Sequence, residues 1–236
     1  MLSKKVLKDI QSLALKKSRD ENRLFIAEGP KIVEELLQAA PLQIEKIYAT
    51  ESWGKDRKGV EIVSEAELER MSSLKTPNQV LAVLHQFEIH EPNASSFTLY
   101  LDTIQDPGNF GTIVRIADWF GVKDIVCSSG CADLYNPKVV QSTMASIARA
   151  NVFYDKNESW LAKQTAPVYA ASLYGESIYS FSKTDTGILI IGNESKGIRK
   201  EFFALATQLI TIPKKGEAES LNAAVATGIL LSHLIA

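Results

Sequence analysis

Residues that bind metals or form disulfides are scarce in this sequence. The 236 residues include only two cysteines and three histidines. Cys127 and Cys131 are separated by three residues, which is not a metal-ligand spacing, and this cysteine usage suits a reducing cytosol. We therefore predict no metal site and interpret the two cysteines as structural residues.

Long apolar runs are also missing. No stretch approaches the roughly 18 consecutive apolar residues that a membrane-spanning helix needs, and the start, MLSKKVLKDI, has no apolar segment of signal-peptide length. We expect a soluble, cytoplasmic protein. A composition with 45% hydrophobic and 23% charged residues is sufficient for one or two globular domains with a sizeable core.

Neither sign of charge is in strong excess. The formal net charge is −2, so any nucleic-acid surface must be local. The first 31 residues are a candidate, because their eight basic residues exceed their four acidic ones and give a local charge of +4. The basic residues are Lys4, Lys5, Lys8, Lys16, Lys17, Arg19, Arg23 and Lys31; the acidic ones are Asp9, Asp20, Glu21 and Glu28. A solvated helix face explains this excess equally well.

The usual nucleotide-binding motifs are absent. Gly192 to Gly197 has the G-x-x-x-x-G spacing of a phosphate loop, but Ile198 and Arg199 stand where Lys and Ser/Thr would be required. No G-x-G-x-x-G follows a predicted strand, so the dinucleotide fingerprint is missing too. These absences exclude a P-loop triphosphatase and argue against an NAD-type enzyme.

The chain alternates strand-like and helix-like segments on both sides of a polar, turn-rich stretch at residues 90–96. Residues 1–92 form a small predicted α/β domain, and residues 97–236 form a larger one. In the larger domain the strands are continuously apolar and are separated by helices, which predicts a mainly parallel sheet covered on both faces. Ligands on such sheets bind beyond the carboxyl ends of the strands.

The clearest local pattern is Phe97 to Gly121. It predicts a buried strand, a turn on Asp106-Pro107-Gly108, and an amphipathic helix capped by Asn109. Helical spacing places Arg115 on the side away from the apolar face. An ion pair with Asp118 is the plain interpretation. The alternative is an anion site for a phosphate near the helix start.

The last helix is predicted to begin at Ser220, a good N-cap residue. It is apolar on all sides through Ile229, Leu230, Leu231, Leu234 and Ile235. A helix of this kind has to be buried in its own fold or against a partner subunit, which favours a homodimer.

Three separated stretches together resemble the signature motifs of the SpoU/TrmH family of S-adenosylmethionine-dependent ribose 2′-O-methyltransferases. They are DPGNFGTIVRIADWFG at 106–121, IGNESKGI at 191–198 and IPKKGEAESLNAAVA at 212–226. The segments FIAEGPKIVEELL and SSLKTPNQVLAVL also resemble the ribosomal-protein-like substrate-binding domain of many rRNA-modifying members. The resemblance thus extends over nearly the whole chain.

The resemblance implies an α/β fold with a C-terminal trefoil knot, a bent S-adenosylmethionine held in the knot, and an obligate homodimer. It implies that backbone groups of Gly192, Ile212 and Leu221 bind the cofactor. The catalytic set it implies is Arg115, Asn109, Glu194, Ser220 and Asn222. In the family the arginine is the proposed base; because arginine stays protonated in proteins, we assign Arg115 to phosphate binding and hydroxyl orientation.

The sequence departs from the family pattern at Ser195, Lys214 and Ala224, which bears on cofactor geometry. Nearby basic residues are candidates for phosphate contacts or for plain solvation: Lys196, Arg199, Lys200, Lys214 and Lys215. The N-terminal domain favours 23S rRNA as substrate over tRNA, by analogy with relatives. Rival functions are a non-catalytic RNA-binding protein on the same fold and a methyltransferase acting on a base nitrogen.

Overall fold

The computed structural model describes residues 2–235, which form two compact units. The first contains the chain up to Glu88 together with Asp133–Ala148, and the second contains Ile89–Ala132 and the chain from Arg149 onward. No helix among residues 2–235 is long and apolar enough to cross a membrane.

The first unit is built around a four-stranded mixed sheet in the order β1-β4-β2-β3. Strand β4 pairs antiparallel with β1 and β2, whereas β2 and β3 are parallel. Its elements before Glu88 are α1 (Lys4–Ser12), α2 (Lys16–Asn22), β1 (Leu24–Glu28), α3 (Pro30–Ala39), β2 (Ile44–Ala49), α4 (Glu51–Gly54), β3 (Val60–Ile62), α5 (Glu65–Met71) and β4 (Val80–His85).

The later part of the chain contains the second unit and one helix of the first. Its elements are β5 (Phe97–Asp102), α6 (Pro107–Trp119), β6 (Asp124–Ser128), α7 (Pro137–Thr143), β7 (Asn151–Asp155), β8 (Val168–Ser177), β9 (Gly187–Gly192), α8 (Lys200–Phe203), β10 (Gln208–Thr211) and α9 (Ala223–Leu234). Among these, α7 belongs to the first unit.

Segment 133–148 is tied to the first unit by aromatic and ionic contacts. The Tyr135 ring lies 5.0 Å from the Phe25 ring, and its hydroxyl accepts from the Phe87 amide at 2.9 Å. Burial raises the pKa of Tyr135 to about 12. Arg19 is buried and paired with Asp133, and its guanidinium also donates to two backbone carbonyls. By sequence, Arg19 is one of the basic residues of a possible nucleic-acid surface or solvated helix face. Because it is buried and paired, Arg19 does not belong to such a surface.

The second unit contains a six-stranded sheet in the order β10-β8-β9-β5-β6-β7, and every pairing between these strands is parallel. All six residues of β5 are buried, because helices and loops cover both faces of this central strand. Asp102 pairs in register with Gly192, so β5 and β9 end at the same edge. The loops that carry two of the three sequence motifs begin there.

The predicted fold class is confirmed: a parallel-sheet α/β domain is preceded by a small α/β domain with a mixed sheet. The trefoil knot concerns chain threading, which strand order does not define, and stays a prediction. The alternation of strand-like and helix-like segments also predicts a helix near Trp160, but this segment forms only the single 3-10 turn Leu161–Lys163.

Candidate active site

Helix α6 is capped by Asp106, which corrects the predicted cap at Asn109. The Asp106 carboxylate accepts a hydrogen bond from the backbone N–H of Asn109 at 2.7 Å, and Pro107 occupies the first helical position. Proline is favoured there because its missing N–H would be unpaired anyway, so the residue before it becomes the cap. The Asn109 side chain is left available for contacts outside its own helix.

Asn109 links all three motifs through its side-chain amide. Its Nδ2 donates to Glu194 Oε1 at 2.7 Å, and its Oδ1 accepts from Asn222 Nδ2 at 2.8 Å. Glu194 and Asn222 are 85 and 113 positions away from Asn109 in the sequence. Three of the predicted site residues therefore lie together at one place in the second unit.

The loop that carries Glu194 is organised by Asn193, which is buried. Its Oδ1 accepts from the amides of Ser195 and Lys196 at 3.0 and 3.1 Å, and its Nδ2 donates to the Thr103 carbonyl at 2.8 Å. Backbone bonds between Asn193 and Gly197 close the loop in both directions. The loop is thus fixed internally and joined to the segment that follows β5.

Gly192 is required at the start of this loop. A Cβ at that position would lie 2.4 Å from the Gly197 carbonyl carbon and 2.4 Å from the Ile198 nitrogen. Both atoms belong to the backbone, so no rotamer change relieves the contact.

Arg199, one of the predicted candidates for a phosphate contact, is held in an ionic network with carboxylates of its own unit. Its backbone amide and Nε donate to the two oxygens of buried Asp102 at 2.7 and 2.8 Å. Its two terminal nitrogens donate to the two oxygens of Glu158, each at 2.9 Å. Hydrogen bonds from Arg199 hold the pKa of Glu158 at about 2, and the same pairing raises the pKa of Arg199.

Arg115 is exposed on α6, and the predicted ion pair with Asp118 is not formed. Asp118 instead accepts from Arg149 Nε at 2.9 and 3.1 Å and from Arg149 Nη2 at 2.8 Å. Within residues 2–235, Arg115 has no ion pair. A cation without an internal partner is suited to an external anion.

Helix α9 begins at Ala223 and is capped by Asn222, which corrects the predicted cap at Ser220. Asn222 Oδ1 accepts from the amides of Ala224 and Val225 at 3.0 and 3.2 Å. Ser220 is exposed and makes no hydrogen bond to the part of the chain that the structure describes. The structure therefore does not join Ser220 to the three linked residues.

One face of α9 is buried, in part against α6, and the opposite face is open. Thr227, Leu230 and Leu231 are buried, whereas Val225 has 51% of its surface exposed. The prediction that this helix is buried in its own fold or against a partner subunit is confirmed for the buried face, and cover of the open face by a partner stays a prediction.

The predicted cofactor residues lie near one edge of the sheet. Gly192 ends β9, Ile212 follows β10, and β8 lies between these two strands. Gly175 of β8 has no room for a Cβ, which would lie 2.6 Å from the Leu209 carbonyl oxygen, so backbone segments pack closely there. Exposed Leu221 and half-buried Ile212 supply apolar surface. Polar backbone beside apolar side chains fits a nucleoside ligand such as S-adenosylmethionine.

The described residues offer no candidate metal site. Residues 2–235 contain no group of three or more histidine, cysteine, aspartate or glutamate side chains that could hold a metal. Burial raises the pKa of Cys127, and both cysteines are free thiols.

Several structural residues of the site were missed by sequence reasoning: Asp102, Asp106, Glu158 and Asn193. Asp106 had a recognisable signal, because it precedes proline at a helix start. Asp102 and Glu158 had none, since their partner Arg199 lies 97 and 41 residues away.

A parallel α/β sheet with three linked polar loops at one edge defines a ligand-binding enzyme domain of the α/β class. Comparison with known families makes this more specific. Residues 96–232 match the SpoU rRNA Methylase family, and residues 4–82 match the MRM3-like substrate binding domain. The chain belongs to the SpoU rRNA methylase family, and the resemblance inferred from the three motifs is confirmed.

Individual relatives agree with this assignment. The 23S rRNA (guanosine(2553)-2′-O)-methyltransferase RlmP of Bacillus subtilis is 32% identical, over 97% of this chain and 95% of the relative. A solved structure of a TrmH-family protein from Porphyromonas gingivalis is 36% identical with a TM-score of 0.88, and the match covers 100% of this chain and 98% of that one.

A solved, AdoMet-bound rRNA methyltransferase from Sinorhizobium meliloti is 30% identical with a TM-score of 0.83, covering 99% of this chain and 95% of that one. The predicted enzyme class, an S-adenosylmethionine-dependent RNA methyltransferase, is thereby confirmed at the level of the family.

Proposed function

We propose that this protein transfers a methyl group from S-adenosylmethionine to a ribose 2′-hydroxyl of 23S rRNA. The observation that carries the proposal is the hydrogen-bonded chain Asn222–Asn109–Glu194, which joins three distant motifs beside a helix with an exposed Arg115. The likeness to RlmP, which covers nearly both chains, supports 23S rRNA as the substrate.

S-adenosylmethionine supplies an already activated methyl group on a positively charged sulfur. Because of this activation, the protein mainly has to align the ribose oxygen and allow its proton to leave. Arg115 binds an RNA phosphate and orients the hydroxyl. The linked amides of Asn109 and Asn222 and the Glu194 carboxylate fix the loops around that hydroxyl. Ser220 completes the site by a hydrogen bond to bound ligand, and the proton leaves to water or a phosphate oxygen.

Gly192, Ile212 and Leu221 hold the cofactor in this proposal. Gly192 ends β9 and Ile212 follows β10, the two strands that flank β8, and their backbone groups are suited to the polar edge of an adenine or a carboxylate. Leu221, with 47% of its surface exposed, supplies an apolar contact.

The first unit binds the RNA, two protomers form the working enzyme, and the reaction takes place in the cytoplasm. The N-terminal match to a substrate binding domain supports the RNA role. Exposed Lys4, Lys5, Lys8 and Lys31 leave a basic surface there even though Arg19 is buried.

Mapping of ribose methylation in 23S rRNA and tRNA, in cells with and without this protein, tests the substrate. The expected result is one 23S rRNA position that resists alkaline hydrolysis only when the protein is present, since a 2′-O-methyl group protects the adjacent phosphodiester. A new position in tRNA instead would assign the enzyme to tRNA. A methyl group that leaves alkaline cleavage unchanged would identify a base methyltransferase.

The non-catalytic alternative is tested with purified protein. Titration calorimetry with S-adenosylmethionine should show binding, and radiolabelled methyl transfer to unmodified 23S rRNA should follow. RNA binding without methyl transfer would overturn the proposal.

A further inference from the structure

Arg199 is the only arginine of the glutamate loop, residues 192–199, and its guanidinium donates three hydrogen bonds to Asp102 and Glu158 inside the second unit. Its Cζ atom also lies 4.6 Å from the centroid of the Phe202 ring, which limits its movement. Such extensive pairing with carboxylates of the same unit points to a structural role for this residue.

The two carboxylates that pair with Arg199 belong to different segments of the chain. Asp102 ends β5 and opens the segment that leads to Asn109. Glu158 lies in the loop after β7, and its Oε1 also accepts from the amide and hydroxyl of Ser129 in the loop after β6. One guanidinium therefore joins three loops at the carboxyl edge of the sheet.

The Arg199 pairing fixes the same two segments that Asn109 and Glu194 bridge. At the start of the glutamate loop, Asn193 Nδ2 donates a hydrogen bond to the Thr103 carbonyl at 2.8 Å. At the end of the loop, the backbone amide and Nε of Arg199 donate to the Asp102 carboxylate. The distance between Asn109 and Glu194 is thus set from both ends of the loop.

We propose that Arg199, supported by Asp102 and Glu158, is a positioning residue for methyl transfer that fixes Glu194 against Asn109. The expected effect on methyl transfer rests on the proposed function, whereas the expected effect on the position of the glutamate loop does not. Lysine at position 199 keeps the positive charge beside buried Asp102 but loses the planar fork that pairs with two carboxylates at once.

A double-mutant cycle with Arg199→Lys and Glu194→Gln tests the proposal. Arg199→Lys alone is expected to lower kcat by roughly 10- to 100-fold, the scale of a misplaced group, with KM for S-adenosylmethionine within about twofold of wild type. In the Glu194→Gln background the same change should cost less than about twofold, because the arginine acts through Glu194. Equal losses in both backgrounds would overturn the proposal.

Arg149→Lys is the matched control, because Arg149 also forms a two-oxygen ion pair in the same unit, with side-chain exposure of 37% against 35% for Arg199. It should retain wild-type kcat. Glu158→Gln leaves the Asp102 contact in place and serves if Arg199→Lys does not fold; it should lower kcat in the same Glu194-dependent way.

Hydrogen exchange of the amides of residues 193–198 provides a measurement that needs no RNA. Exchange should be faster in Arg199→Lys than in wild type, and unchanged in Arg149→Lys. Unchanged exchange in Arg199→Lys would overturn the positioning role. An inactive wild type with faster exchange in the variant would overturn the proposed function and leave the role of Arg199 supported.

Discussion

At the scale of single residues, arginines that are paired inside the fold differ in role from the exposed Arg115. Arg19 and Arg199 are neutralised by carboxylates within their own units, whereas Arg115 is exposed and has no ion pair in the part of the chain that the structure describes. An arginine that the fold does not use is the best candidate for a phosphate ligand.

Replacement of Arg115 by alanine should therefore weaken RNA methylation without unfolding the protein. We expect a kcat/KM at least tenfold lower, unchanged S-adenosylmethionine binding, and a salt dependence of RNA affinity whose slope falls by about one. Methylation rates and RNA titrations at several salt concentrations measure these effects. Lys123→Ala is the control, because Lys123 is an exposed cation that directly precedes β6 and therefore lies at the edge of the sheet opposite to the motif loops. A folded Arg115→Ala protein with wild-type methylation would refute the assignment.

Gly192 allows a second prediction at this scale. Gly192→Ala should lower the free energy of unfolding by about 1–3 kcal/mol, because the added Cβ meets backbone atoms that cannot move aside. Gly216→Ala should change it little, since nothing lies within 4 Å of a Cβ there. Urea unfolding of both variants gives the comparison. Equal stability of the two variants would show that the loop has room to shift.

The sequence predicts these residues unequally, for physical reasons. Asn109, Glu194 and Asn222 could be selected through the motifs, and the structure places them together. The burial of Arg19 could not be predicted, since its partner Asp133 is 114 residues away and helix patterns report only local neighbours.

At the scale of elements, strands are the most predictable feature. The sequence pattern predicts strands at 97–101, 123–127 and 187–191, and the observed β5, β6 and β9 lie within one residue of these bounds. Helix starts were less predictable, because Asp, Asn and Ser share the same acceptor chemistry and several stand near each start. For α9 the competing caps, Ser220 and Asn222, are two residues apart.

The cap of α9 also belongs to the site, and two substitutions separate these roles. Asn222→Ala should cost about 1 kcal/mol of stability together with activity, because both the cap and the Asn109 contact are lost. Asn222→Asp should keep most of the stability, since a carboxylate still accepts from Ala224 and Val225, but it loses the donor to Asn109. Thermal unfolding and methylation assays should separate the two variants. Full activity in Asn222→Asp would exclude a role for that contact.

The ion pair between Glu158 and Arg199 should make an acid-sensitive contribution to the free energy of unfolding. Its folded pKa of about 2 lies below the ordinary glutamate value of about 4.3. The stabilisation is therefore complete above about pH 4.3 and is lost as the pH falls toward 2. The difference in unfolding free energy between wild type and Glu158→Gln should shrink from pH 5 to pH 3. Glu217→Gln, at an exposed position outside this ionic network, is the control. A difference that stays constant over this range would contradict the ion pair.

At the scale of the whole molecule, α6 exposes an apolar side chain that the chain itself does not cover. Trp119 has 84% of its surface exposed, and it lies four residues after Arg115 on the same helix face. Val225 of α9, a helix that packs on α6, is 51% exposed as well. Large exposed aromatic residues near a functional face are typical of protein interfaces. A second copy of the chain is the partner that the proposed homodimer supplies.

Trp119→Glu should therefore convert the proposed homodimer to monomer. A buried tryptophan at an interface typically contributes 2 kcal/mol or more, so the dissociation constant should rise by roughly 30-fold or more. Methylation should fall with it, because Trp119 lies on the same helix face as Arg115 and the partner would therefore border the proposed RNA site. Leu42→Glu is the control, since Leu42 is 92% exposed in the first unit and should leave the dimer intact. Sedimentation velocity at micromolar protein measures both variants. A monomeric wild type, or a Trp119→Glu protein that remains dimeric, would contradict this use of the α6 face.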